Sequence, residues 1–191
     1  MKKVILLMAA LVATSTFVLA QTAKGTIMAG GSASASFQTL ESEVGGNTLS
    51  ESDNNSIGFN PMVGYFFIDQ FVAGLNIGFD RTKIEDGSFE STSTAFSIGP
   101  FARYYLNNGV FFLANIGFGS SNTESDSFDT DSGFRTWNAG VGYAIFLNEW
   151  IAIEPTITYG SSTNTDDDQD PEAKFIQRGL QLNVGFNIFL H

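Results

Sequence analysis

The sequence has no cysteine, a single histidine, and nine lysines and arginines against twenty acidic residues. The missing cysteines exclude disulfide bonds and metal sites built on thiolates. A formal net charge of −11 argues against binding to nucleic acid, which depends on basic contacts to phosphates. The only histidine, His191, is the last residue, so a Ser or Asp nucleophile working with a nearby His is unavailable. We therefore predict a protein that is not an enzyme and has no cofactor.

Long apolar runs are missing after the first 20 residues. Lys2 and Lys3 precede the apolar segment 4–12, and Ala20 ends a small-residue cleavage site, which is the pattern of a cleaved signal peptide. We predict a signal peptide at residues 1–20 and a mature chain at 21–191. A mature chain without about 20 consecutive apolar residues crosses a membrane only as a closed barrel, because every backbone group must then pair internally.

What the mature chain has instead is alternation. In the segment 179–190 the even positions are Leu, Leu, Val, Phe, Ile and Leu, and the odd positions are Gly, Gln and Asn until Phe189. Successive side chains of a strand point to opposite faces, so this segment has one apolar face and one small polar face. Seven similar segments precede it, at about 24–37, 56–67, 74–80, 96–105, 110–119, 137–145 and 151–159. We predict an all-β chain with eight strands.

The connections between these segments alternate in length. Short turns are predicted at 68–70, 106–109 and 147–149, and long polar segments at 41–55, 83–91, 122–133 and 161–174. The long segments contain sixteen of the twenty acidic residues. Short turns on one side and long loops on the other are typical of antiparallel up-and-down transmembrane β-barrels of the outer membrane.

The strand count and the closing strand 179–190, with its aromatic residues near the end, resemble the small outer-membrane β-barrels of the OmpA and OmpX type. The resemblance covers residues 24–190 and rests on alternation alone, so it transfers no functional residue. It implies a monomer in the cell outer membrane, in contact with lipid and lipopolysaccharide. We expect a structural or surface-interaction role through four long acidic extracellular loops, with an extracellular partner as one candidate. A narrow channel or transporter for ions or small solutes stays open as the alternative.

Charge placement predicts which face looks inward. A soluble barrel or sandwich would carry many charges on its water-exposed face, whereas the polar faces here carry only Asp80, Arg103 and Glu154. A charge in a narrow lumen needs a partner. Asp80 lies near the loop end of its strand and Arg103 near the turn end, so we predict an ion pair between Arg103 and Glu154. A conduit for protons or small ions is the alternative role for these residues.

One acidic stretch superficially resembles a calcium-binding loop. Its members are Asp166, Asp167, Asp168, Asp170 and Glu172. The stretch lacks the central glycine and the ligand spacing of an EF-hand. The pattern favours a solvated acidic loop, and weak divalent-cation binding is the alternative.

Overall fold

The computed structural model describes residues 21–44, 47–86, 89–125, 129–166 and 173–191, and most of these residues belong to β-strands. The strands are β1 (Ile27–Val44), β2 (Asn47–Ile68), β3 (Phe71–Asp86), β4 (Phe89–Tyr105), β5 (Val110–Ser125), β6 (Asp129–Tyr143), β7 (Ile145–Phe146), β8 (Ile151–Asp166) and β9 (Ala173–Leu190). Within the described ranges, no helix has the length and apolar character needed to span a bilayer.

Neighbouring strands pair antiparallel in the order β6-β5-β4-β3-β2-β1-β9-β8, and β8 pairs in turn with β6. This last pairing closes the sheet into a ring. The two-residue β7 follows β6 after Ala144 and also pairs with β8, so β6 and β7 together form one of the eight walls. The described residues therefore form the closed eight-stranded up-and-down barrel that the alternation predicts.

The pairing between the first and last strands is short. β1 and β9 pair only from Ile27–Leu190 to Gly31–Phe186, whereas β8 and β9 pair from Ile151–Ile188 to Asp166–Ala173. The φ angle of Gly31 is 153°, and a Cβ placed there would lie 2.3 Å from the carbonyl oxygen of Asn60. The ladder between β1 and β9 thus ends at a position that only glycine can occupy.

The apolar face of each strand looks outward. On β5, Ile116 is 50% exposed and Phe118 is 51% exposed, while Asn115 and Gly117 line the interior. In water such a surface would be an aggregation hazard, but it suits the hydrocarbon core of a bilayer. The faces are therefore those that the alternation predicts.

The prediction of four long loops was wrong in extent, because most of the residues assigned to these loops continue the strands. The hairpins stay paired up to Val44–Asn47, Asp86–Phe89, Glu124–Asp129 and Asp166–Ala173. Polar composition indicates that side chains are solvated, but it leaves the backbone free to pair, and β-branched Thr favours strands. Hydroxyl contacts across strands reinforce this pairing: Ser93 lies 3.1 Å from Ser121 and accepts a hydrogen bond from Thr123 at 3.1 Å.

The short turns lie where they are predicted. Gly109 ends the β4–β5 turn with a φ angle of 86° and donates its N–H to the carbonyl of Leu106. In the turn before β8, the side-chain oxygen of Asn148 accepts hydrogen bonds from the backbone N–H groups of Trp150 and Ile151, at 2.8 and 2.9 Å. Both turns lie at one end of the barrel, which we call the turn end.

Candidate functional site in the barrel lumen

Near the turn end, the lumen contains a buried carboxylate with three hydrogen-bond donors. Arg103 donates from Nη1 to Oε2 of Glu154 at 2.5 Å, and Asn187 donates from Nδ2 to the same oxygen at 2.6 Å. The hydroxyl of Tyr105 donates to Oε1 of Glu154 at 2.9 Å. Glu154 is only 1% exposed, and a charge so buried is stable only when paired and hydrogen-bonded in this way. We call these four residues the Glu154 cluster.

The strands bring the cluster together from different walls of the barrel. Arg103 and Tyr105 are two residues apart on β4, so they share its inward face. Glu154 comes from β8, which is three walls away from β4 in the ring, and Asn187 comes from β9. The ion pair between Arg103 and Glu154 therefore crosses the lumen, and a barrel of eight strands is narrow enough for two side chains to span it.

The guanidinium of Arg103 is held on its remaining sides by apolar groups. Its Nη2 lies 3.1 Å from the sulfur of Met62. Its central carbon lies 5.5 Å from the ring centre of Phe101 and 5.2 Å from that of Phe111, which are cation–π distances. With Arg103 only 8% exposed, the cation has little contact with water.

Four rings fill the lumen between the cluster and the turns. The ring of Tyr105 lies 4.8 Å from that of Phe111, 5.9 Å from Phe66 and 6.2 Å from Phe189. All four residues are fully buried, and we call them the aromatic floor. Phe189 is the residue that interrupts the polar face of the last strand in the sequence. The structure explains this interruption, because Phe189 points inward and packs in the floor.

On the other side of the cluster the lumen widens into a cavity of about 590 Å³. Its wall is mainly neutral and polar, with Ser32, Ser34, Asn60, Asn76, Ser97, Asn115, Thr136, Asn138 and Thr158 among the lining residues. The side-chain oxygen of Asn76 is buried without a hydrogen-bond partner among the described residues. A cavity of this kind suits water or a small polar solute.

Asp80 lies in this wider part and not in the Glu154 cluster. It lines the cavity, and its Oδ1 is 2.4 Å from the point where a Cβ on Gly58 would lie. Asp80 makes no ion pair with any side chain that the structure describes. The structure thus joins two of the three inward charges and leaves the third facing the cavity.

The comparison with protein families identifies the chain. The model of the outer membrane protein beta-barrel domain matches residues 4–185, which is nearly the whole sequence. The chain belongs to this family. An outer-membrane β-barrel lies in the cell outer membrane of Gram-negative bacteria in contact with lipid and lipopolysaccharide, and the outward apolar face described above agrees with that location.

Solved structures of other outer-membrane barrels are similar in fold. The translocator domain of the autotransporter NalP from Neisseria meningitidis has a TM-score of 0.50 at 10% identity and covers 95% of this chain and 68% of its own. Ail, the attachment invasion locus protein of Yersinia pestis, has a TM-score of 0.48 at 15% identity, and the match covers 87% of this chain and 99% of Ail. OprG from Pseudomonas aeruginosa has a TM-score of 0.46 at 14% identity, and the match covers 90% of this chain and 99% of OprG. No curated protein matches the chain significantly. The likeness to the NalP domain, at 10% identity, extends to the fold alone and shows nothing about partners.

The possible divalent-cation site lies mostly outside the described part of the chain. Asp166 ends β8, and Asp167, Asp168, Asp170 and Glu172 lie outside the described residues. Among the residues that the structure describes, no group of three or more His, Cys, Asp or Glu side chains is placed to hold a metal ion. His191 lies at the turn end, where its Nδ1 is 3.1 Å from Thr26 and its ring is 5.3 Å from that of Trp150.

The sequence reasoning missed Tyr105, Asn187 and the aromatic floor as parts of the site. All of them occupy inward positions close to a turn or to the end of the last strand. A signal was present, because Phe101, Tyr105 and Phe189 are bulky residues on faces that otherwise carry small polar ones. Large inward side chains at the turn ends of β2, β4, β5 and β9 would have indicated a filled lumen at that end.

Proposed function

We propose that this outer-membrane β-barrel conducts no ions, acts on no substrate as an enzyme, and works as a monomer through its outward surface and extracellular hairpins. The observation that carries the proposal is the Glu154 cluster, in which a buried carboxylate joins three walls of the ring. A conducting pore needs a continuous water-filled path along its axis, whereas the side chains of Arg103 and Glu154 meet across a narrow lumen near the turn end. The aromatic floor behind them would exclude water from the rest of the path.

The extracellular hairpins supply the surface for interaction. Their described strands carry hydroxyl and acidic side chains on a paired backbone, so these side chains are presented by a β-sheet. On the β3–β4 hairpin, Nζ of Lys83 lies 2.7 Å from Glu85 and 3.0 Å from Glu90. Hydrogen bonds to Glu85 and Glu90 raise the pKa of Lys83. We propose that an extracellular partner recognises these acidic hairpins, and that one chain suffices because the ring closes within it.

A narrow channel or transporter for small solutes remains the second candidate. The cavity of about 590 Å³ with its neutral polar wall supports it, because such a wall suits a solute that enters from the loop side. Transport would then require the Glu154 cluster to open. The two candidates differ in whether the unmodified protein passes current.

Planar-bilayer recording of the refolded protein separates these functions. We expect no discrete current steps from the wild-type chain at any applied voltage, because the cluster and the floor block the lumen. A variant with Arg103→Ala, Tyr105→Ala and Glu154→Ala removes the charged bridge and one ring of the floor while leaving the backbone ladder unchanged. This variant should show steps.

Asp80→Ala is the matched control, since it removes an inward charge from the open cavity and should leave the barrel silent. Regular current steps from the wild-type protein would contradict the proposal and favour the channel. Equal silence of the triple variant, with its fold verified by gel migration, would show that the cluster is not what closes the lumen.

A further inference from the structure

The wall of the barrel is open on its loop side, between the first and last strands. The ladder between β1 and β9 ends at Gly31. Both strands continue toward the loops, but their described residues 32–37 and 176–185 pair only with β2 and β8, on the far side of each strand. The two edges are still close at Gly185, where a Cβ would lie 3.7 Å from the carbonyl oxygen of Gly31, whereas a Cβ on Gly179 would meet nothing within 4 Å. We call this gap the seam.

Apolar side chains beside the seam are more exposed than those on the opposite wall. Leu182 is 81% exposed, and Leu180 and Phe37 are each 72% exposed. On β5, which lies across the ring from the seam, Ile116 and Phe118 are covered to about half of their surface. Leu182 also lines the lumen cavity, although its position in the alternation places it on the outward face. The cavity therefore reaches through the seam to the outer surface of the barrel.

The seam lies at the depth of the lipid. The outward face of β9 is apolar from Leu180 to Leu190, and the seam spans the loop-side part of this face. On the facing edge of β1, the outward residues Ala33 and Ala35 have small side chains that leave room between the strands. Unpaired backbone edges are tolerated at membrane depth only where they line a polar cavity, as they do here. A molecule held in the cavity can therefore extend into the lipid between β1 and β9.

Inside the cavity, a carboxylate lies close to the seam. Gly58 on β2 is paired with Ser34 on β1 and with Asp80 on β3. A Cβ on Gly58 would lie 2.4 Å from Oδ1 of Asp80 and 2.7 Å from Oγ of Ser34, so both side chains lean over the glycine from opposite sides. Because Gly58 has no side chain, the carboxylate of Asp80 reaches toward the hydroxyl of Ser34, which belongs to the edge of the seam.

The charge beside the seam determines which headgroup fits. Asp80 makes no ion pair with any side chain that the structure describes. The other two charges that line the cavity, Arg103 and Glu154, are paired with each other, and the rest of the lining is neutral. The acidic hairpins above the cavity concentrate cations at its mouth and repel anions. An ammonium group therefore fits beside Asp80, whereas a carboxylate or a phosphate does not.

We propose that the cavity binds a single-chain amphiphile with an ammonium headgroup. The headgroup donates hydrogen bonds to the carboxylate of Asp80 and to the hydroxyl of Ser34. The hydrocarbon chain passes through the seam and lies along Leu180 and Leu182 on the outer surface. This site lies on the loop side of the Glu154 cluster, so it does not depend on whether the lumen is closed there.

Photolabelling of the folded protein in lipid nanodiscs tests the site with two probes of equal chain length, dodecylamine and dodecanoic acid, each with a diazirine on the last carbon of the chain. We expect the amine to label the segment 180–184 beside the seam at least about tenfold more than the outward residues Ile116 and Phe118, since a charge-assisted hydrogen bond holds its headgroup. The acid should label the two walls about equally, because it reaches both only from the bulk lipid.

Asp80→Asn should reduce labelling of the segment 180–184 by the amine to the level seen with the acid. Asp131→Asn is the matched control, because Asp131 lies on the outward face of β6 and accepts a hydrogen bond from Asn122 at 2.8 Å. This change should alter the labelling less than about twofold. Gel migration without boiling verifies that both variants are folded.

Three results would overturn the site. The first is equal labelling of the segment 180–184 by the acid and the amine in the wild-type protein, a comparison that needs no variant. The second is amine labelling that survives Asp80→Asn or is spread evenly over both walls, which would show that the probe comes from the bulk lipid. The third is amine labelling confined to residues that face the lumen, which would show that the chain does not pass through the seam.

Discussion

Replacing Arg103 by Met, or Glu154 by Gln, should each lower the free energy of unfolding by about 3–5 kcal/mol, because each change leaves a buried charge or its donors without a partner. The double variant should lose less than the sum of the two single losses. The reason is that removing both charges also removes their desolvation cost. Urea titrations of the wild type, the two single variants and the double variant in the same detergent measure the coupling energy.

The control for this cycle is Asp80→Asn. Asp80 faces the cavity and makes no ion pair with a described side chain, so its loss should cost less than about 1 kcal/mol. Combined with Arg103→Met it should be additive within the usual error for independent sites. Strict additivity between the Arg103 and Glu154 variants would show that the two side chains do not interact in the folded barrel.

Introducing a lysine at Val184 should impair folding far more than introducing one at Asn183. Val184 is 62% exposed and lies in the middle of the outward apolar face of β9, which extends from Leu180 to Leu190, and a lysine at this depth costs about 2–4 kcal/mol. Asn183 lines the polar cavity that also contains Asp80, so we expect a lysine there to stay solvated. Refolding titrations into lipid vesicles, read by gel migration without boiling, measure the difference.

The two positions are adjacent on one strand, which makes each the control for the other in strand propensity and in distance from the chain end. A lysine at either position also adds the same charge. Equal losses of folding for the two variants would mean that β9 does not separate lipid from lumen as its alternation indicates.

The alternation of apolar and polar residues predicts the fold well because each face of a strand has the polarity of the environment that it contacts, lipid outside and the lumen inside. Leu182 and Val184 face outward and Asn183 inward, and the same rule gave all eight walls and the short turns. The extent of the strands could not be read in this way. Around Ser93, Ser121 and Thr123, both faces of the strands are polar because these segments lie above the membrane. Their sequence therefore shows no alternation, although their backbones are paired.

Only part of the candidate site could be predicted for a similar reason. Arg103 and Glu154 stand out because charges are rare on the inward faces. Their positions along the barrel axis favour a pair between these two residues over a pair between Arg103 and Asp80. Asn187 has the same appearance in the sequence as Asn183, which lines the cavity. Which asparagine meets Glu154 depends on the stagger between β8 and β9, and sequence patterns do not specify that stagger.

The central claim is that the lumen is a well open on the loop side and closed at the Glu154 cluster, and thiol labelling tests it most directly. The chain has no cysteine, so a single Ser97→Cys in the cavity wall is the only target, and Asn108→Cys in the β4–β5 turn is the control. In vesicles of known protein orientation, we expect a small membrane-impermeant thiol reagent to modify Ser97→Cys from the loop side only and Asn108→Cys from the turn side only. Modification of Ser97→Cys at the same rate from both sides would contradict the closed lumen.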